Sequence, residues 1–218
     1  MSVETFTHNL RCLMRTLRDS LRILRCLIQF QPRTAAYYIN QGIDCQQRGE
    51  LEKARACYER AMRIEPQCVS AYINRGLLFA SQGNYPEALA DYNHAIYIDP
   101  KTAIAYHNRG LVSKMLGNLN AALADYRMAI QIAPDNPVTY NNRANVYAEN
   151  GQFEKALADY DRALQLDPHY GDAYDNRGYI RAKLGDAEGA AADYSRAKDF
   201  TSDSTTTSIQ GPISARQS

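Results

Sequence analysis

Hydrophobic positions along this chain recur on two scales. Within single segments apolar residues fall three and four apart, the spacing of one face of an α-helix. On the longer scale the pattern itself returns every 34 residues. The stretch 103–136 reads AIAYHNRGLVSKMLGNLNAALADYRMAIQIAPDN. Its letters return one period earlier as SAYINRG…GNYPEALADYNHAIYIDP and one period later as VTYNNRA…GQFEKALADYDRALQLDP. A fixed period of this size marks a solenoid of stacked supersecondary units.

Five units follow from the period: 35–68, 69–102, 103–136, 137–170 and 171–204, each predicted to hold two helices. The first helix of each ends near Gly49, Gly83, Gly117, Gly151 or Gly185, where a residue without a Cβ can take the left-handed conformation that closes a helix. The second ends before Pro66, Pro100, Pro134 or Pro168, because proline cannot continue it. Small residues recur inside the helices as well: Gly42, Gly76, Gly110, Ala144 and Gly178 on the first, and Ala54, Ala88, Ala122, Ala156 and Ala190 on the second. Glycine inside a helix costs about 1 kcal/mol relative to alanine. Its repeated use implies that two helix backbones approach closely there. Tyr58, Tyr92, Tyr126, Tyr160 and Tyr194 fill the space between these small contacts, as do Tyr38, Tyr72, Tyr106, Tyr140 and Tyr174.

These tyrosine, glycine, alanine and proline positions, unbroken across 35–200, resemble those of the tetratricopeptide repeat (TPR) proteins. The resemblance implies an all-α fold: a right-handed α-solenoid of helix–turn–helix units, its concave face lined by the first helix of each pair. The chain departs from the family at Arg75, Arg109, Arg143 and Arg177, where leucine is usual. Each of these arginines shares its unit with an aspartate: Asp91, Asp125, Asp159 and Asp193. The first unit has Gln41 and Cys57 instead, losing both together. This co-occurrence predicts an ion pair inside each later unit, arginine being suited to bidentate carboxylate contact. The competing reading is an arginine ladder that grips an anionic ligand.

Residues 1–34 stand apart. Leu10, Leu13, Met14, Leu17, Leu21, Leu24, Leu27 and Ile28 follow helical spacing, with Arg11, Arg15, Arg18, Arg22 and Arg25 as the opposite stripe. Pro32 is in phase with Pro66, so the segment reads as the second helix of a degenerate repeat capping the array. A basic amphipathic helix also suits peripheral membrane contact through residues 10–30, or organelle targeting, and this is the alternative reading. At the other end, Ala191 and Lys198 replace apolar residues of the earlier units, as a terminal repeat requires. Residues 205–218 are Ser/Thr-rich and read as a disordered tail.

Composition narrows the function. Lys and Arg number 25 against 24 Asp and Glu, a net charge of +1 that supplies no footprint for nucleic-acid binding. Cys12, Cys26, Cys45, Cys57 and Cys68 form no CxxC pair. They read as small hydrophobes in a reducing compartment rather than a disulfide framework or zinc site. No run of 18 apolar residues predicts a membrane span. With no phosphate-binding glycine loop, HExxH or nucleophile elbow, neither an enzyme nor a cofactor or metal is expected.

On the concave face the resemblance places a stripe that starts apolar, with Ile39, Ile43, Ile73, Leu77, Ile104 and Leu111. It becomes polar at His107, Lys114, Asn141, Asn145 and Glu149, and ends with Asp172, Asp175, Tyr179 and Lys183. One asparagine recurs in every unit: Asn40, Asn74, Asn108, Asn142 and Asn176. An amide carries both a donor and an acceptor, so it can pair with a peptide backbone. This ladder resembles the one that grips peptide backbones in the O-linked N-acetylglucosamine transferases; alternatively each amide bonds a neighbouring helix. The inward positions where chaperone-tail binders carry lysine and arginine hold Ala36, Ile39, Ser70 and Ile104 here, so binding of such tails is not expected.

The expected function is protein binding by a cytoplasmic, monomeric scaffold or adaptor. A protein or peptide segment would lie on Ile39, Asn40, Ile43, Ile73, Asn74, Leu77, Ile104, His107, Asn108, Leu111 and Asn142. Two alternatives stand beside it. One is a peripheral membrane assembly factor, the general design of repeat proteins that assist photosystem assembly. The other is self-association through an apolar groove. Flotation with anionic vesicles separates the first of these: under the capping reading the chain stays unbound with or without residues 1–34, and flotation that depends on them establishes the membrane reading.

Overall fold

The computed structural model describes residues 34–200, which form ten α-helices joined by short turns. In chain order they are α1 (Ala35–Gln47), α2 (Leu51–Ile64), α3 (Val69–Ser81), α4 (Tyr85–Ile98) and α5 (Ala103–Met115). The second half comprises α6 (Leu119–Ile132), α7 (Pro137–Glu149), α8 (Phe153–Leu166), α9 (Gly171–Lys183) and α10 (Ala187–Phe200). One helix pair falls in each 34-residue unit, and the described residues contain no strand. The expected helix at 10–30 and the tail at 205–218 lie outside the described residues.

The turn inside each pair is closed by the expected glycine, with φ between 72 and 86° at Gly49, Gly83, Gly117, Gly151 and Gly185. That left-handed residue lets the following N–H turn back onto the helix: Asn84 donates to the Phe79 carbonyl at 2.9 Å. The turns between pairs use side chains. Asp99 and Asp167 accept from the N–H groups of Lys101 and His169, each at 2.9 Å, which is the turn role their place before proline implies. Asn136 caps α7 by accepting from the Val138 N–H at 3.0 Å.

Inside a pair the two helices meet where a small residue faces a tyrosine. Tyr58, Tyr92, Tyr126 and Tyr160 are almost wholly buried, each lying across the first helix of its own pair. A Cβ added at Gly76 would stand 2.7 Å from the Tyr92 ring, too close for any real contact. At Gly110 the nearest approach to Tyr126 and Asp125 is 3.2 Å, and the fourth unit already carries Ala144 there. The close approach inferred from helix-interior glycine is therefore real, and it is tightest in the first two units.

Each predicted ion pair is present and bidentate. Arg75, Arg109, Arg143 and Arg177 each give two N–H bonds of 2.6–3.0 Å to the carboxylate sixteen residues ahead. The carboxylates push the guanidinium groups of Arg75 and Arg109 up, against burial; for Arg143 and Arg177, burial opposes the charge and the carboxylates outweigh it. A second partner was not foreseen from the sequence. Sixteen residues behind each arginine, on the second helix of the preceding unit, Arg109 finds Asn93 and Arg177 finds Asp161, both at 2.6 Å. Arg75 approaches Glu59 at 3.9 Å. Arg143 has Arg127 in that register instead. The arginines thus brace the last four pairs internally, and Arg109 and Arg177 also tie theirs firmly to the pair before.

Between units, every second helix packs on the next first helix, and successive first helices also touch one another. No comparable contact joins the second helices. The first helices therefore crowd together on the inner side of the curve, which places α1, α3, α5, α7 and α9 side by side on one surface.

Two substitutions test this account by denaturant or thermal unfolding. Gly76→Ala is expected to destabilise by about 1–3 kcal/mol through overpacking against Tyr92, despite alanine's better helix propensity. Gly110→Ala is expected near neutral. Arg127→Asp is expected to stabilise by about 0.5–1 kcal/mol, supplying Arg143 with the link that Asp161 gives Arg177.

Candidate functional site

The inner surface is the candidate site, and the structure distributes its predicted residues unevenly. Ile39, Ile73 and Leu77 are buried members of the core between units. Ile43 and Ile104 are half-buried at its edge, and Leu111 is half-buried as well. Much of the apolar start of the stripe is thus spent on joining the first three units. Of the asparagines, Asn40 is exposed, Asn176 half-buried, and Asn74, Asn108 and Asn142 are buried.

Two polar networks cross unit boundaries. The Asn142 amide nitrogen lies 3.3 Å from His107 Nε2, and His107 Nδ1 lies 2.9 Å from the Thr139 hydroxyl. An amide nitrogen only donates, so Nε2 accepts and Nδ1 carries the proton toward Thr139. His107 thereby joins α5 to α7. One step on, the Asn176 amide donates to Asn141 Oδ1 at 3.1 Å, and Asn141 donates to the Tyr170 hydroxyl at 3.3 Å. Burial pushes the Tyr170 phenol up to about 12, so it stays a neutral acceptor.

Asn108 differs. It is 1 % exposed, and neither its carbonyl oxygen nor its amide nitrogen has a hydrogen-bond partner. The phenol groups of Tyr92 and Tyr126 are likewise unpartnered. Their counterparts are satisfied: Tyr58 donates to Gln46 at 3.0 Å and Tyr160 to Asn145 at 2.6 Å. In the second and third units the Asn145 register holds Leu77 and Leu111, which offer no acceptor. The middle of the inner surface thus carries orphaned polar groups, each leaving a cost of about 1–3 kcal/mol.

An open part of the inner surface lies at the far end. A cleft of about 320 Å³ between α7, α8 and α9 is lined by Asn145, Glu149, Phe153, Asn176, Tyr179 and Lys183, among others. Tyr179 is 61 % exposed, and the Lys183 ammonium sits 4.8 Å from the centre of the Phe153 ring. Phe153 and Tyr160 come from the second helix of the fourth unit, so a reading of first helices alone misses them. The signal available in the sequence was the register of Tyr160 against Asn145. A smaller hollow of about 150 Å³ at the opposite end is lined by Ala36, Ile39, Cys68, Val69 and Ser70, with Glu65 and Gln67. The four arginines offer no free charge to an anion, being engaged by their aspartates.

Among the described residues, no three His, Cys, Asp or Glu side chains group as metal ligands, and no helix is long and apolar enough to cross a membrane.

Models of the tetratricopeptide repeat match residues 45–106, 114–151 and 137–170, together more than half of the chain. No curated protein sequence matches it. Among solved structures, a fragment of MamA from Desulfovibrio magneticus RS-1 is 22% identical with a TM-score of 0.68, covering 78% of this chain and 97% of its own. PilF of Pseudomonas aeruginosa is 19% identical with a TM-score of 0.73, covering 78% of each chain. YrrB, described as a TPR protein with an unusual peptide-binding site, is 23% identical with a TM-score of 0.62, covering 82% of this chain and 92% of its own. At these identities the likeness is one of fold. The repeat models, the helix pairs and the buried tyrosines agree: this chain is a tetratricopeptide repeat protein, a member of a family of protein-interaction scaffolds that are generally non-catalytic.

Proposed function

We propose that the inner surface binds an extended partner segment through its backbone, with the third unit as the centre of contact. The observation that carries this reading is Asn108, an inner-surface amide whose donor and acceptor are both unmet. A peptide in extended conformation offers an N–H and a C=O at the spacing an amide pairs with. Meeting them would recover the cost of leaving them bare. Reaching Asn108 requires the side chains around it to part, so binding is coupled to a local opening of the groove.

Asn142 and Asn176 are engaged with neighbouring units, and their part in this reading is to hold the surface in shape. The segment would continue toward the cleft at the fourth and fifth units, where Tyr179 supplies apolar area and Glu149 and Lys183 supply charges of either sign. The description of YrrB as a peptide-binding TPR protein supports a peptide as the class of ligand.

The test pairs two substitutions against one peptide, selected from a random extended-peptide library on the wild-type chain. Asn108→Ala is expected to weaken binding about tenfold, which is about 1.4 kcal/mol, and to leave the unfolding midpoint unchanged or slightly raised. Asn142→Ala is expected to lower stability by about 1–2 kcal/mol, because it strips His107 of a buried partner. If Asn108→Ala destabilises the fold and spares peptide affinity, the amide is structural and the reading fails.

A further inference from the structure

We propose that Cys45 and Cys57 form a reversible disulfide that locks α1 to α2 in the first repeat. The later repeats hold their two helices together with an arginine–aspartate pair, and the first has Gln41 and Cys57 in those places. Cys57 stands in the aspartate's register. Cys45 stands in the register of Arg181, which in the fifth repeat reaches Asp193 at 2.9 Å. The two positions therefore face each other across the helix pair. In the first repeat these facing positions carry thiols. Both thiols are free and half-buried, within reach of a small oxidant.

The backbone is favourably placed. Gly42 lies one turn before Cys45, and a Cβ there would overlap Tyr58, the residue after Cys57. The two helices thus pack tightly one turn from Cys45 and next to Cys57, and a disulfide needs Cα atoms within about 7 Å. Cys68 is buried at the start of α3, outside the pair.

The oxidant is a low-molecular-weight disulfide such as glutathione disulfide. The Cys45 thiolate attacks one of its sulfurs, forming a mixed disulfide and releasing one glutathione thiolate. Cys57 gives up its proton, displaces the second glutathione and closes the protein disulfide. In sum, two protein thiols and one oxidised glutathione become one protein disulfide and two reduced glutathiones. Burial and the neighbouring Cys45 push the Cys57 thiol up. That suits it to the second step, where attack is intramolecular and proximity compensates for a low thiolate fraction. Oxidation would then give the first repeat, as a covalent link, the brace that the others have as an ion pair.

The test equilibrates the full chain with graded ratios of oxidised to reduced glutathione, then maps thiols by mass spectrometry without reduction. The expected product is a Cys45–Cys57 cross-link lacking two hydrogens, reversed by reduced glutathione, with the unfolding midpoint raised by about 5 °C. Cys45→Ser and Cys57→Ser should each abolish both the cross-link and the shift. Separate glutathione adducts on Cys45 and Cys57 without a cross-link would overturn the proposal. So would cross-links made instead to Cys12, Cys26 or Cys68.

Discussion

Everything in this solenoid depends on how closely the two helices of a unit can approach. Tyr58, Tyr92, Tyr126 and Tyr160 lie flat across first helices that present glycine or alanine at the point of contact. A larger side chain would lift the first helix off its partner. Close approach sets the reach of the other contacts: Arg109 meets Asp125 with two bonds because the helices bearing them run side by side at this separation. It also fixes which side of the first helix remains for the inner surface. The repeat of 34 residues is the visible consequence of one steric contact made again and again.

The arginines convert that contact into a continuous structure. Each one stands between two second helices, its own and the preceding one, and is satisfied by both where the register supplies an acceptor. Half-buried charges of this kind are tolerated because the bidentate geometry compensates for lost hydration. With the cations consumed in bracing, the middle of the inner surface is left with amides, a neutral imidazole and hydroxyls. Such a surface offers hydrogen-bonding geometry more than charge, which is what the proposed contact with a partner backbone would use.

The units are alike in frame and unlike in detail, and the proposed functions rest on the differences. The first unit replaces the ion pair with facing thiols. The third carries an amide with no partner, while the fourth and fifth satisfy theirs across unit boundaries. The last two units frame the open cleft. A solenoid in which each unit touches only its neighbours allows this, since a local change need not propagate through a single shared core.

Much of the architecture was legible from the chain alone. Period, helix pairing, glycine turns and the Arg–Asp pairs within units follow from residues at fixed sequence distances inside one unit, where local geometry leaves little choice. What the sequence could not decide was how groups from successive units meet. The links from Arg109 to Asn93 and from Arg177 to Asp161, the bond from Asn142 to His107, and the isolation of Asn108 all depend on the stagger between units. Five asparagines in the same register looked equivalent in the sequence. Only the packed structure distinguishes them, because the residue each one faces belongs to the preceding unit: His107 for Asn142, Asn141 for Asn176 and no polar group for Asn108.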